Sequence, residues 1–356
     1  MDKPTLADVA RVAGVHPGTA SRALNPALAG RISPATTARV HEAAKALGYM
    51  PDTRAQSLRT RRTRTIGVVI PDLANPVFAP IVRGIEDGLR DAGYQSLLAS
   101  TDNDADRETA ALRVLQTRYC DGYIVASATR DDATVRELCA QRTALVLLNR
   151  LVDDLDVPAV VSDDSVGIRA AVDYLAAGGH RSIAHIAGPQ TLSVSAARVR
   201  AFCDAVASSK VRPRMKPVVQ QASDFTVEAG RVAMAGLLEH EQVTAVLAAN
   251  DLIAIGCYQA LAAAGLRCPE DVSVIGFNDM PLTAHLNPPL ATVAMPQHEM
   301  GWAAAQLVLD YIERPNTPPR TEAVPTAFIP RDSARPLPAA PESERPRRSG
   351  RSSGRG

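Results

Sequence analysis

Residues 5–25 read TLADVARVAGVHPGTASRALN, and this stretch decides the architecture of the amino-terminal part of the chain. Thr5-Leu6-Ala7-Asp8 fits a capping box, in which the threonine hydroxyl meets the first free backbone N–H groups of a helix. Leu6, Val9, Ala10 and Ala13 recur at helical spacing, and Gly14 is a natural stop. Val15-His16-Pro17 restarts a helix, because proline is tolerated at the first helical position. Its buried stripe is expected at Ala20, Ala23 and Leu24, leaving Pro17, Gly18, Thr19, Ser21 and Arg22 outward. A third helix follows, capped by Ser33, opened by Pro34, lined by Val40, Ala43, Ala44 and Leu47, and ended by Gly48. Two short helices on a glycine-containing turn with a third in support make a helix-turn-helix. Small alanines at the crossing allow the close approach that motif needs. On pattern alone, a DNA reader and a generic three-helix subdomain both remain open.

Charge separates this head from the rest. The 356 residues carry a formal net charge of only +1, with 46% hydrophobic and 22% charged residues. A chain of this length predicts two domains at about 150 residues each, and its apolar content excludes disorder for most of it. Residues 1–64 hold 11 Lys+Arg against 4 Asp+Glu, or +7; residues 65–335 hold 23 against 32, or −9; residues 336–356 hold 5 against 2, or +3. Basic charge concentrated in the head suggests a polyanion partner, most simply nucleic acid. No apolar run approaches the roughly 20 residues of a membrane span, and the amino terminus has no signal-peptide stretch. Cys120, Cys139, Cys203, Cys257 and Cys268 are scattered and odd in number, as expected of reduced thiols in a cytoplasmic protein.

The stretch TLADVARVAGVHPGTASRALN…ISPATTARVHEAAKALGY strongly resembles the head of lactose-repressor-type (LacI/GalR) transcriptional regulators. The resemblance continues through MPDTRAQSLRTRRTRTIGVVIPDLANPVFAPI and, more loosely, to about Ser333, some nine-tenths of the chain. Departures are His16 where the family usually has a capping serine, Ala20 where it usually has valine, and a loop from Pro26 to Arg31 about two residues longer than in shorter members. The resemblance implies that the second helix enters the major groove. It places Thr5, Pro17, Gly18, Thr19, Ser21 and Arg22 at the DNA. Pro17 and Gly18 occupy the variable base-reading places but offer no side-chain hydrogen bonds, so Arg22, which can grip guanine edges, and neighbouring Ser21 or Thr19 are expected to contribute much of the direct readout. A phosphate contact is the alternative role of Arg22. The polar stretch from Arg54 to Arg64 is too short to be a stable helix alone. By resemblance it is a hinge that folds in the minor groove, with Leu58 as an apolar wedge, Arg54 and Arg59 suited to phosphates, and Ser57 also at the DNA.

From Ile66 onward, short apolar runs alternate with helical stretches. IGVVI, YQSLLAS, GYIVAS, ALVLLN, PAVVS, SIAHIAG, TAVLAAN and VSVIGF read as buried strands, with helices at 77–92, 107–117, 166–177 and 252–264 between them. Such alternation means parallel sheets covered on both faces, with ligands outside the carboxyl ends of the strands. The full expectation is an all-α helix-turn-helix head plus hinge, an α/β two-lobed periplasmic-binding-protein-like body with parallel sheets, and a disordered carboxy-terminal tail. The expected domains are 1–52 for DNA binding, 53–64 for the hinge, 65–335 for effector binding and dimerisation, and 336–356 for the tail. The resemblance puts three crossovers near Ser165, Met295 and Glu322. The N-lobe is then about 65–164 plus 296–321, and the C-lobe about 165–295 plus 322–335.

Strand-end residues carry the chemistry. Matched to the family, Asn75, Phe78, Asn149, Arg150, Arg198, Phe225, Asn250, Asp251 and Asn278 are effector-binding. An arginine, several amides or carboxylates and an aromatic face suit a polyhydroxylated ligand, and a nucleobase or nucleoside is the alternative. Asn250-Asp251 equally suits a helix cap, and Arg198 equally suits a structural ion pair. Asn149 and Asn278 stand where relatives with a sugar effector can carry aspartate, which makes the pocket less anionic. No histidine has metal spacing, and no G-x-S-x-G elbow or phosphate loop occurs. No enzyme activity, cofactor or metal is therefore expected. The tail, rich in Pro, Ser, Gly and Arg, cannot form leucine heptads, so a homodimer on near-palindromic operator DNA is expected. A solute-binding protein without DNA function is the rival from another class.

Overall fold

The computed structural model describes residues 4–24, 31–50, 62–209, 215 and 217–337, and the chain divides into two compact units, Met1–Thr63 and Arg64–Gly356. Most of the Pro26–Arg31 loop, the hinge residues Arg54, Ser57, Leu58 and Arg59, and the tail beyond 337 lie outside the described residues.

The first unit is helical: α1 Leu6–Ala13, α2 Pro17–Ala23 and α3 Pro34–Leu47. Val9, Ala10, Ala13, Ala20, Ala23, Val40, Ala43 and Ala44 form its core, the stripe read from the helical period. His16 caps α2 in place of the family's serine, its Nδ1 accepting the Gly18 N–H at 3.1 Å. A ring nitrogen thus satisfies the free donor that a hydroxyl would otherwise meet.

The second unit runs β1 Thr65–Ile70, α4 Phe78–Arg90, β2 Gln95–Ser100, α5 Ala105–Thr117, β3 Gly122–Val125, α6 Ala133–Ala140, β4 Ala144–Leu148 and β5 Ala159–Asp163. It continues through α7 Asp164–Ala177, β6 Ile183–Ala187, α8 Ser193–Ser208, β7 Val218–Gln221, α9 Val227–His240, β8 Ala245–Ala248, α10 Asp251–Ala263 and β9 Ser273–Asn278. Last come β10 Ala291–Ala294, α11 Gln297–Glu313, β11 Thr321–Pro325 and β12 Ala327–Ile329. Among the described residues, two six-stranded sheets form, ordered β11-β5-β4-β3-β1-β2 and β12-β10-β9-β8-β6-β7. Each repeats the doubly wound order, in which the strand sequence reverses beside the first strand and opens a crevice at the carboxyl ends.

Three expectations need correction. The third crossing comes at Thr326, not near Glu322, because β11 pairs in parallel with β5 in the first sheet from Thr321 to Pro325. β12 pairs antiparallel with β10, so the second sheet is not wholly parallel. β2 is not a buried strand: as an edge with one neighbour it leaves Leu97 and Leu98 each 41% exposed. At the crossing, the Thr326 hydroxyl donates to Asp163 O at 2.7 Å and accepts from Gly167 N at 3.1 Å, tying two inter-lobe connections together. α11 returns to pack on α4, where a Cβ at Gly301 would come within 2.0 Å of the Ile81 carbonyl oxygen. Only glycine permits that helix spacing.

Candidate DNA-reading face and effector cleft

In the head, Pro17 and Arg22 are exposed, Gly18, Thr19 and Ser21 are half-buried, and Ala20 and Ala23 turn inward. The outward face is therefore the one the helical period assigns. Arg22 Nε donates to Gly18 O at 3.0 Å, which holds the side chain along α2 while leaving the guanidinium's other donors for a partner. Thr5 is differently used. Its hydroxyl donates to Asp8 Oδ2 at 2.7 Å and receives the Asp8 N–H at 3.3 Å, so its hydrogen-bonding serves the α1 cap. Arg11, with Thr5, holds the Asp8 carboxyl down at about 2.

In the body, the strand ends bring some of the expected residues together. Asn149 follows β4 with φ of 67°, a left-handed conformation that asparagine tolerates, and Arg150 turns inward to 4% exposure. The Arg150 guanidinium donates to Ser127 O and to Asn103 Oδ1, both at 3.0 Å. Burial lowers its pKa to about 10, so it stays cationic at neutral pH; Glu108 and Asp224 act against that fall, and the like charge of Arg198 adds to it. Arg198, on α8 in the other lobe, is 3% exposed. It donates through Nε to Asp164 Oδ2 at 2.9 Å and through Nη1 to Ala249 O at 2.6 Å, and lies 3.7 Å over the Phe277 ring. The alternative weighed for Arg198, a structural ion pair, is thus present.

Other expected residues serve the scaffold. Asn250 caps α10, accepting from Ile253 N at 2.8 Å, and donates to Phe225 O at 3.3 Å. Asp251 is fully buried; it accepts from Met280 N at 2.8 Å and Thr292 Oγ1 at 2.7 Å, and burial pushes its pKa up to about 7. The Asn278 carbonyl receives Gln297 Nε2 at 2.7 Å, joining β9 to α11. Asn75 accepts from Val77 N at 3.2 Å in the turn before α4, and Phe78 is 3% exposed within the core.

What remains for a ligand is a set of buried polar atoms. Asn149 Oδ1, Arg150 Nε, His185 Nε2 and Ser195 Oγ have no hydrogen-bond partner among the described residues, a cost that native interiors rarely carry without a ligand or water. Phe225 and Ser195 both border Gly188, where a Cβ would meet the ring at 2.5 Å and the hydroxyl at 2.8 Å. A cavity of about 240 Å3 lies between the lobes, lined among others by Asn149, Leu151, Asp153, Asp164, Ser193 and Arg200. Across its mouth, Leu151 N donates to Ser193 Oγ at 2.7 Å and Arg130 N to Thr191 O at 2.9 Å.

Sequence reasoning missed Asp164, Ser127 and Glu108. From sequence, Asp164 could line the cleft or only end a strand, which leaves it unassigned, and nothing local marks its pairing with a residue 34 positions away. Glu108 did leave a signal. It stands four and seven residues before Leu112 and Leu115, on the stripe that α5 buries. Among the described residues, no group of three His, Cys, Asp or Glu side chains is placed to hold a metal ion, and no helix is long and apolar enough to cross a membrane.

Comparison with known proteins settles the class. Residues 5–52 match the model of bacterial regulatory proteins of the lacI family, and residues 172–334 match the periplasmic binding protein-like domain. The HTH-type transcriptional repressor CytR of Escherichia coli K12 is 34% identical over 339 residues, covering 94% of this chain and 97% of that one. A solved complex of the transcriptional regulator CelR with cellobiose superposes with a TM-score of 0.69 at 33% identity, covering 93% of this chain and 100% of that one. The Lac repressor dimer bound to operator and the anti-inducer ONPF gives a TM-score of 0.81 at 25% identity, covering 93% and 99%. A helix-turn-helix head followed by a two-lobed body is the build of a ligand-responsive transcription factor. The chain belongs to the LacI family of bacterial transcriptional regulators and binds DNA through that head.

Proposed function

We propose that the protein is a cytoplasmic homodimeric repressor of a near-palindromic operator, released or strengthened by a saccharide held between its lobes. The observation that carries the effector reading is the pair of buried guanidiniums, Arg150 from one lobe and Arg198 from the other. Beside them lie the unpartnered Arg150 Nε, Asn149 Oδ1 and Ser195 Oγ. Donors and acceptors in alternation suit vicinal hydroxyls, and Phe225 offers a ring for the C–H face of a sugar. The cellobiose bound by CelR and the operator-bound dimer of the Lac repressor support the same reading. Asn75, Phe78, Asn250, Asp251 and Asn278 complete the expected pocket wall, largely by fixing the strand ends. The ligand acts through differential affinity for two lobe arrangements, a coupling of about 1–3 kcal/mol in such systems. At the DNA, residues 53–64 serve as the hinge, with Leu58 as its wedge, Arg54 and Arg59 at phosphates, and Ser57 also in contact.

A thermal-shift screen against cellobiose, ribose and a set of nucleosides tests the effector class, since a ligand specific for the folded state raises the melting temperature by mass action. Stabilisation by a nucleoside and by no sugar would move the effector to that class. For the head, Arg22→Ala is expected to weaken operator binding about tenfold while leaving random duplex nearly unaffected, because a guanine contact carries sequence discrimination. Equal losses on operator and random duplex in a gel-shift titration would reduce Arg22 to a phosphate contact.

A further inference from the structure

Beneath the cleft floor of the first lobe lies a buried carboxylate that the effector site does not use directly. Glu108, on α5, is 4% exposed, and Asp132, which precedes α6, is 6% exposed. The Ser127 hydroxyl donates to Glu108 Oε1 at 2.5 Å, while the Ser127 carbonyl receives Arg150 Nη1 at 3.0 Å. Asp132 is already committed, accepting from Thr129 N at 3.2 Å and Val135 N at 2.9 Å. The segment 127–132 is therefore held from below by two neighbouring carboxyls. The same segment carries Arg130, whose N–H reaches across to Thr191 O at 2.9 Å and whose guanidinium pairs with Asp153 at 2.6 Å. The groups facing Glu108 are the Ser127 hydroxyl, the Asp132 carboxyl and the Arg150 guanidinium.

We propose that Glu108 is a positioning residue of the effector cleft: protonated, it braces the 127–132 segment that anchors Arg150 and carries the Arg130 contact between lobes, and on losing its proton it loosens both. A neutral Glu108 donates to the carboxylate of Asp132 and accepts from Ser127, so the pair holds a single negative charge balanced by Arg150. An ionised Glu108 sets two buried like charges side by side, and the segment relieves them by swelling toward water. Burial, with the charge of Asp132, raises the Glu108 pKa to about 7, which places the change in the physiological range. Closing the cleft over Arg150 dries the cluster further and so favours the protonated form. Effector binding is thereby linked to proton uptake.

This rests on reading Arg150 as an effector contact, so the test has two separate arms. The first needs no ligand: amide hydrogen exchange of Arg130, expressed as a protection factor, in the full-length protein at pH 6 and pH 8. The wild type is expected to lose about tenfold in protection over that interval, the change that one proton gives across the midpoint. Glu108→Gln, which keeps a donor and an acceptor without charge, is expected to hold the pH 6 value throughout. Glu108→Ala is expected to be poorly protected at both. Equal slopes in wild type and Glu108→Gln would overturn the proposal. So would a Glu108→Gln protein as unprotected as Glu108→Ala, which would leave a merely structural role. The second arm measures stabilisation by cellobiose and by ribose in Arg150→Gln. A stabilisation equal to wild type there would overturn the effector reading while leaving the exchange result standing.

Discussion

Arg198→Ala is expected to destabilise the body by about 3–5 kcal/mol, the loss typical of removing one partner from a buried ion pair. The guanidinium and Asp164 are only 4% and 7% exposed at their side chains and meet at 2.9 Å, so neither charge is compensated by solvent. Without Arg198, Asp164 keeps, among the described residues, the hydroxyl of Ser162 for support, and the Ala249 carbonyl loses the Arg198 donor. The Phe277 ring loses the cation stacked on its face. An orphaned buried carboxylate escapes this cost by taking up a proton. The deficit relative to wild type should therefore be smaller at pH 5 than at pH 8. Urea unfolding of the body at both pH values measures it, and a loss below 1 kcal/mol at pH 8 would contradict the pairing. A double variant, Arg198→Met with Asp164→Leu, should regain much of the stability, because the two losses are not additive. It should not regain the response to a sugar. That contrast separates the part of Arg198 that holds the lobe from the part proposed to meet the ligand.

The head was readable because its determinants are local. Capping residues, proline at the first helical position and a 3.6-residue apolar period all act within a few residues, and Ala20 and Ala23 are buried as the period requires. The central strands were readable for a related reason, since a strand covered on both faces is a continuous apolar run. Edges broke that rule. β7 reads Val218-Val219-Gln220-Gln221 with half its residues exposed, and β2 is apolar yet exposed, because an edge strand has a neighbour on one side only. In the cleft, residue types were legible and roles were not. Asp251 looked like a ligand group, but its oxygens are committed to Met280 and Thr292, 29 and 41 positions along the chain. Pairings of that range are made by the sheet order, which brings the segments after β8 and β9 beside strand β10. No window of sequence displays them.

The body is also expected to lose stability as pH rises from 6 to 8, the reverse of a protein governed by surface carboxylates. Glu108 and Asp251 each hold a proton to about 7 in the folded chain, chiefly through burial, and release it in the ordinary carboxylate range when unfolded. A raised folded pKa means that the folded state binds more protons in between. The stability these groups contribute is complete below the unfolded value and is lost as pH climbs through about 7. Between pH 6 and pH 8 each loses about one proton's worth, roughly 1.4 kcal/mol. Two histidines oppose this. Burial lowers His185 to about 4 and lowers His180 as well, so their contribution grows with pH, but only up to the unfolded histidine value near 6.5. Above about pH 6.5 the histidine gain ends while the carboxyl loss continues, so the net change from there to pH 8 is a fall. The carboxylates with lowered values, such as Asp8 and Asp271, are exposed, and their effect is complete at more acid pH. Urea midpoints of the wild type at pH 5, 6, 7 and 8 trace the curve. A curve flat from 6 to 8 would mean that neither buried carboxyl holds its proton, and Glu108→Gln should remove about half of the fall. What survives in that variant belongs to Asp251, so the same four measurements apportion the proton between the lobe that carries Arg150 and the lobe that carries Arg198.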